Sequence, residues 1–134
     1  MNDHKFALSD SPRQELRSQI IVAFQTHHRW VDRVEDAIVT GSVDEDLTEV
    51  VREDACQIGR WLNGGISEEL RETALYKVTK GRHAGFHRSL AAVLQLARED
   101  KEDEARLSLS DQGEFGQAAF KMRQTLEQWL KLAE

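Results

Sequence analysis

The residues of this chain best suited to chemistry are five histidines and a single cysteine. His83 and His87 stand four apart, in His83-Ala84-Gly85-Phe86-His87. On a helix that spacing stacks two imidazoles on one face, where they can close on a single ion. Such a pair is often an accident of composition, so the reading depends on where other ligands fall. His27 and Cys56 lie in two further helical stretches, and three nitrogens with one sulfur form a donor set that suits zinc.

The elements that must position these four read as helices. Residues 1–10 are polar and read as a flexible tail, with 11–134 as a single domain. Ser11-Pro12-Arg13-Gln14 supplies a cap, a proline for the first helical position and a capping-box glutamine. The helix this opens carries the stripe Leu16, Ile20, Phe24, His27, Val31, Val34, Ile38, which places His27 in a core slot and His28 about 100° away on the flank. Thr40-Gly41-Ser42 ends it. A second helix opens at the capping box Asp46-Leu47-Thr48-Glu49 and buries Leu47, Val51, Ala55, Ile58 and Leu62, with Cys56 at the edge of that stripe. Gly59 would let another helix come close, and Asn63-Gly64-Gly65 stops the helix.

Ser67, Glu68 and Glu69 open a long third helix, whose seam of Tyr76, His83, His87, Leu90, Leu94 and Ala97 turns both histidines inward. Gly81 and Gly85 within it cost about 1 kcal/mol each relative to alanine, which predicts a neighbouring backbone passing close by. The charge run from Arg98 to Glu104 reads as a solvated turn. A fourth helix follows, with Ala105, Leu109, Phe115, Ala119, Met122, Leu126, Trp129 and Ala133 inward and a kink at Gly113 and Gly116. The fold class is therefore all-α: an antiparallel four-helix bundle with a zinc site between helices 1, 2 and 3.

Composition sets the limits of function. With 134 residues, 40% hydrophobic and 31% charged, the chain can bury a core without staples, so a metal would tune an existing fold. A net charge of −6 without a basic cluster argues against nucleic acid. A lone cysteine forms no internal disulfide, and neither a signal peptide nor a membrane span is legible, so a cytoplasmic setting without membrane association is expected.

Burying three imidazoles and a thiol without partners would cost about 1–3 kcal/mol for each polar atom left unsatisfied, and one zinc ion satisfies them together. The bland alternative is a set of core histidines bonded to backbone carbonyls. A zinc hydrolase is disfavoured, because Ala84 stands where the metalloprotease helix needs a glutamate base and four protein ligands leave no place for water. No enzymatic activity is expected. A redox sensor centred on Cys56 is compatible with zinc, since a metal-held thiolate is oxidisable. A metal-free helical interaction module is the third alternative. Around the site, Trp30 and Trp61 read as packing walls, and Glu53 or Asp54 could receive a histidine N–H. Trp129 reads as core or interface, Phe6 as a staple or dimer contact, and His4 has no expected role.

These residues also resemble the chemoreceptor zinc-binding (CZB) family. His27-His28-Arg29-Trp30 is similar to its His-x-x-Trp, Cys56-Gln57-Ile58-Gly59-Arg60-Trp61 to its Cys-x-x-Gly-x-Trp, and His83 to His87 to its His-x-x-x-His. The likeness spans about residues 14 to 97, and more loosely the last helix. It implies the ligands His27, Cys56, His83 and His87, in agreement with the seams. It further implies a cytoplasmic zinc-binding sensory domain of bacterial signalling, of the chemotaxis or cyclic-di-GMP type, often a homodimer. Such a domain works on a signalling partner or a fused output domain, and no coiled-coil signalling region or cyclase domain is legible in this chain.

Overall fold

The computed structural model describes residues 8–134, so His4 and Phe6 lie outside the described residues. Among the described residues every regular element is helical. In chain order these are α1 (Asp10–Thr40), α2 (Leu47–Val50), a 3-10 turn (Glu53–Ala55), α3 (Gln57–Arg60), a π turn (Trp61–Gly65), α4 (Glu68–Arg71), α5 (Ala74–Arg98), α6 (Glu102–Leu109) and α7 (Glu114–Leu132). No helix among them is long and apolar enough to cross a membrane.

The first seam is where its periodicity puts it. Leu16, Ile20, His27, Val34 and Ile38 are buried, joined by Ala23 and Ala37, with Phe24 and Val31 half-buried beside them. The helix starts two residues earlier than the Ser-Pro signal indicates, at Asp10, with Ser9 in the capping position. Pro12 is accommodated in the first turn, where its missing N–H has no intrahelical partner to lose. The Ser9 hydroxyl bonds Glu69 instead of the helix, and Leu8 is buried in the core. At the other end Gly41, at φ +70°, returns its N–H to the Ala37 carbonyl at 2.8 Å, a left-handed stop that glycine adopts without strain.

The second predicted helix is not continuous. Arg52 leaves helical geometry after α2, the chain makes a 3-10 turn, and Cys56 is extended (φ −106°, ψ 163°) in the capping position of α3. Val51 and Ala55, expected inward, are exposed, and Val50 is buried in their place. Gly59 makes the reversal possible. A Cβ there would lie 1.7 Å from the Glu53 carbonyl oxygen, so the close approach is that of the preceding turn and not of another helix. The loop leading into this strip is clamped from two sides. Arg33 forks onto Glu45 at 2.6 and 3.0 Å, and Arg98 donates to the Glu45 carbonyl at 2.6 Å.

The third and fourth predicted helices are also divided. Glu72 and Thr73 separate α4 from α5. Gly81 has nothing within 4 Å of a notional Cβ, and Gly85 has only the Arg88 side chain, so neither marks a close backbone approach as expected. Gly113 and Gly116 mark a full break rather than a kink, because a Cβ on either would fall about 2 Å from the carbonyls of Leu107 and Ser110 at the end of α6. The core forms where α1, α5 and α7 pack on one another. Trp129 of α7 is fully buried there and donates from Nε1 to Thr79 of α5 at 2.6 Å, which makes it core. The α2–α3 strip lies against α5 and α1, and so carries Cys56 to the middle of α5, where its histidines are.

Candidate metal centre

The four sequence-predicted residues are brought together by three local devices. His27 sits mid-way along α1 and is fixed by its Nδ1, which lies 2.7 Å from the Ala23 carbonyl one turn back. Such a contact makes Nδ1 the protonated nitrogen and leaves Nε2 as the free lone pair. His87 is held in the same way, with Nδ1 2.9 Å from the carbonyl of Val50 at the end of α2. His83 follows from the helical repeat. Cys56 is brought in by the broken strip, its Sγ 3.6 Å from the Glu53 carbonyl.

Three of the ligand atoms already sit near the corners of a coordination polyhedron. His83 Nε2 lies 3.1 Å from His87 Nε2 and 3.2 Å from Cys56 Sγ, and His87 Nε2 lies 3.6 Å from that sulfur. A tetrahedral zinc with nitrogen at 2.0–2.1 Å and sulfur at 2.3 Å needs nitrogen–nitrogen edges of about 3.3 Å and nitrogen–sulfur edges of about 3.5 Å. One ligand atom from each of the four residues lies within 4.8 Å of every other. His27 Nε2 is buried without a hydrogen-bond partner, an orphan atom that a cation would satisfy.

The carbonyl-bonded alternative is half correct. Ala23 and Val50 do accept from His27 and His87, but that fixes the tautomer which turns the other nitrogens toward one another. These carbonyls take the place expected of the Glu53 and Asp54 side chains, and Asp54 instead pairs with Arg52 at 3.2 Å. The tryptophans are not the walls of the site. Trp61 packs edge-on to Trp129 and donates to Glu15, while Trp30 lines a shallow depression with Thr26, Arg29 and Arg33. The wall is Phe86, edge-on to His27 with ring centres 4.6 Å apart and 5.7 Å from His87. Phe86 lies between the two histidines in sequence, three residues after His83 and one before His87, and the seam pattern alone gave it no role. His28 is exposed and faces Asp32 at 3.6 Å.

The electrostatics prepare the site for a cation. Burial leaves His27, His83 and His87 only 6%, 1% and 3% exposed. Burial pulls His27 down to about 4 and, aided by the neighbouring His87 and His27, His83 down to about 3; His87 is lowered as well. The imidazoles are therefore neutral at pH 7 and need lose no proton to bind metal. Burial pushes the Cys56 thiol above its ordinary value, so it is protonated in the metal-free protein. Zinc loading at pH 7 is expected to release about one proton per ion, from Cys56 alone. Calorimetric titration in buffers of different ionisation enthalpy measures this, and release of two or more protons would show that the imidazoles start charged.

No curated protein and no solved structure gives a significant match to this chain. A family model does, that of the chemoreceptor zinc-binding domain, over residues 27–94. The match begins at His27, takes in Cys56, His83 and His87, and covers just over half of the chain. The helical fold, the convergence of these four residues and the family match lead to one assignment: the chain belongs to the chemoreceptor zinc-binding (CZB) family.

Proposed function

We propose that residues 11–134 form one zinc-binding sensory domain of bacterial signalling, in which His27, Cys56, His83 and His87 hold a single Zn²⁺ in a closed tetrahedral site. The observation that carries this reading is the convergence, within 4.8 Å, of four ligand atoms from three separate stretches of chain. We read the architecture as an antiparallel four-helix bundle whose second member is the broken α2–α3 strip. The domain is non-catalytic, since a full protein ligand set leaves no position for substrate water. It works in the cytoplasm, as a homodimer, and passes its state to a chemotaxis or cyclic-di-GMP output protein or domain.

Metal analysis and X-ray absorption on protein purified without added zinc test the site. One zinc per chain is expected, with three nitrogens at 2.0–2.1 Å and one sulfur at 2.3 Å. A shell of nitrogen and oxygen alone, or an ordered water as fourth ligand, would refute the closed site.

One observation favours a second stimulus acting at the same centre. The three histidines are buried, whereas Cys56 is half-buried, so it is the ligand residue most open to solvent. A peroxide-class oxidant attacked by the thiolate would transfer one oxygen, its O–O bond breaking and the departing oxygen taking a proton. The resulting sulfenate is a poorer zinc ligand. Zinc availability and oxidation of Cys56 then lead to the same loosened state.

A further inference from the structure

A cavity of about 360 Å³ lies between α1, α5 and the α6–α7 corner, with His27 of the metal centre in its lining. Its walls are Phe24 and Val31 of α1, Phe86 of α5, and Phe115, Met122 and Leu126 of α7. All are apolar and four are aromatic or methionine, the surfaces that suit a flat ring rather than a hydrated solute. Nothing in the metal chemistry requires this space. The cavity opens to solvent at one side, and small-molecule sites begin at about 300 Å³.

We propose that this cavity binds a small uncharged aromatic molecule. Size bounds the class, because an enclosed apolar cavity of about 150 Å³ takes one benzene and this larger, partly open one admits a fused two-ring system. Charge narrows it further. The mouth carries Arg123 and Asp111, one cation and one anion, neither in an ion pair among the described residues, together with His28. Opposed charges at the rim give an acidic or basic ligand no net advantage, and the apolar walls decide. Phe120, half-exposed at the same mouth, supplies a further ring over the entrance.

The ligand would share two walls with the metal centre, His27 and Phe86. It would pack behind the α1 ligand and hold it against α5, so it slows loss of the metal. That consequence rests on the zinc-binding reading; binding in the cavity does not.

Indole, neutral and bicyclic, is the probe. Methyl NMR of the full chain should show saturable shifts at Val31, Met122 and Leu126 as indole is added, in metal-loaded and chelated protein alike. Indole-3-carboxylate and tryptamine should bind several-fold more weakly. Ala119→Phe fills the cavity from α7 and should abolish the shifts with helicity and melting temperature retained; Val31→Phe does so from the α1 wall, should the first variant fail to fold. Absence of saturable shifts, shifts that persist in a folded filled variant, or tighter binding of the charged analogues would each overturn the proposal. Transfer of zinc to a chromophoric chelator should slow several-fold with indole present. An unchanged rate alongside saturable binding would overturn the coupling and leave the cavity site standing, and absence of bound zinc would count against the metal reading alone.

Discussion

His27→Ala is expected to weaken zinc retention by about a hundredfold, while His28→Ala leaves it within about twofold. Structural zinc sites with four protein ligands are worth about 10–16 kcal/mol at pH 7, so a quarter share is about 3 kcal/mol. That is roughly a hundredfold in affinity at about 1.4 kcal/mol per decade. His27 is 6% exposed with its Nε2 aimed into the cluster, whereas the neighbouring His28 faces solvent and Asp32. Competition with a chelator of known affinity measures both variants, and circular dichroism shows that each is folded. Equal losses, or a larger one for His28→Ala, would place the α1 ligand on the wrong face. Truncating His27 also tests its hydrogen bond to Ala23, so His27→Gln, which keeps volume without an imidazole, should show the same loss of metal.

The register behind that prediction was legible because α1 is long and uninterrupted. A stripe repeating over 31 residues fixes which of two adjacent histidines points inward, and the same holds for His83 and His87 on the 25 residues of α5. The path to Cys56 was not legible. Residues 47–62 carry a plausible helical period, yet the helix ends at Val50 because Gly59 permits the Glu53 carbonyl to occupy the place of a side chain. Nothing in the local pattern separates a glycine that admits its own preceding turn from one that admits another helix. The same limit applies at Gly113 and Gly116, where the sequence predicts a kink and the structure has a break. Trp61 reads as a wall of the site from the sequence, but its partners Trp129 and Glu15 are 68 and 46 positions away and are set by tertiary packing alone.

This broken strip determines where loss of metal should be felt. His83 and His87 remain aligned on α5, which buries nine of its residues against α1 and α7, so that helix does not depend on the ion. The strip around Cys56 does. Between Leu47 and Arg60 only Val50, Ile58 and Gly59 are buried, and beyond the contacts of Cys56 with His83 and His87 its polar ties to the body are the bond from His87 to Val50 and that between Gln57 and Gln19. Beyond Arg60 the strip is anchored without metal, through Glu15 to Trp61 and Ser67 and through Tyr76 to the Leu62 carbonyl. Zinc at the proposed site would therefore act as a clip over a segment secured at its far end. Chelation is expected to raise hydrogen exchange at least tenfold over residues 50–60, less over the turns of α1 flanking His27, and little in α5 or α7. This places the largest change at Cys56 rather than along α1, because the long helix keeps its seam when one ligand is released. A strip that opens while the core stays closed is a two-state element that a partner can read. Uniform exchange along the whole chain would show that the ion holds the entire fold, and an unchanged pattern would show that it holds none of it; either result would remove the clip.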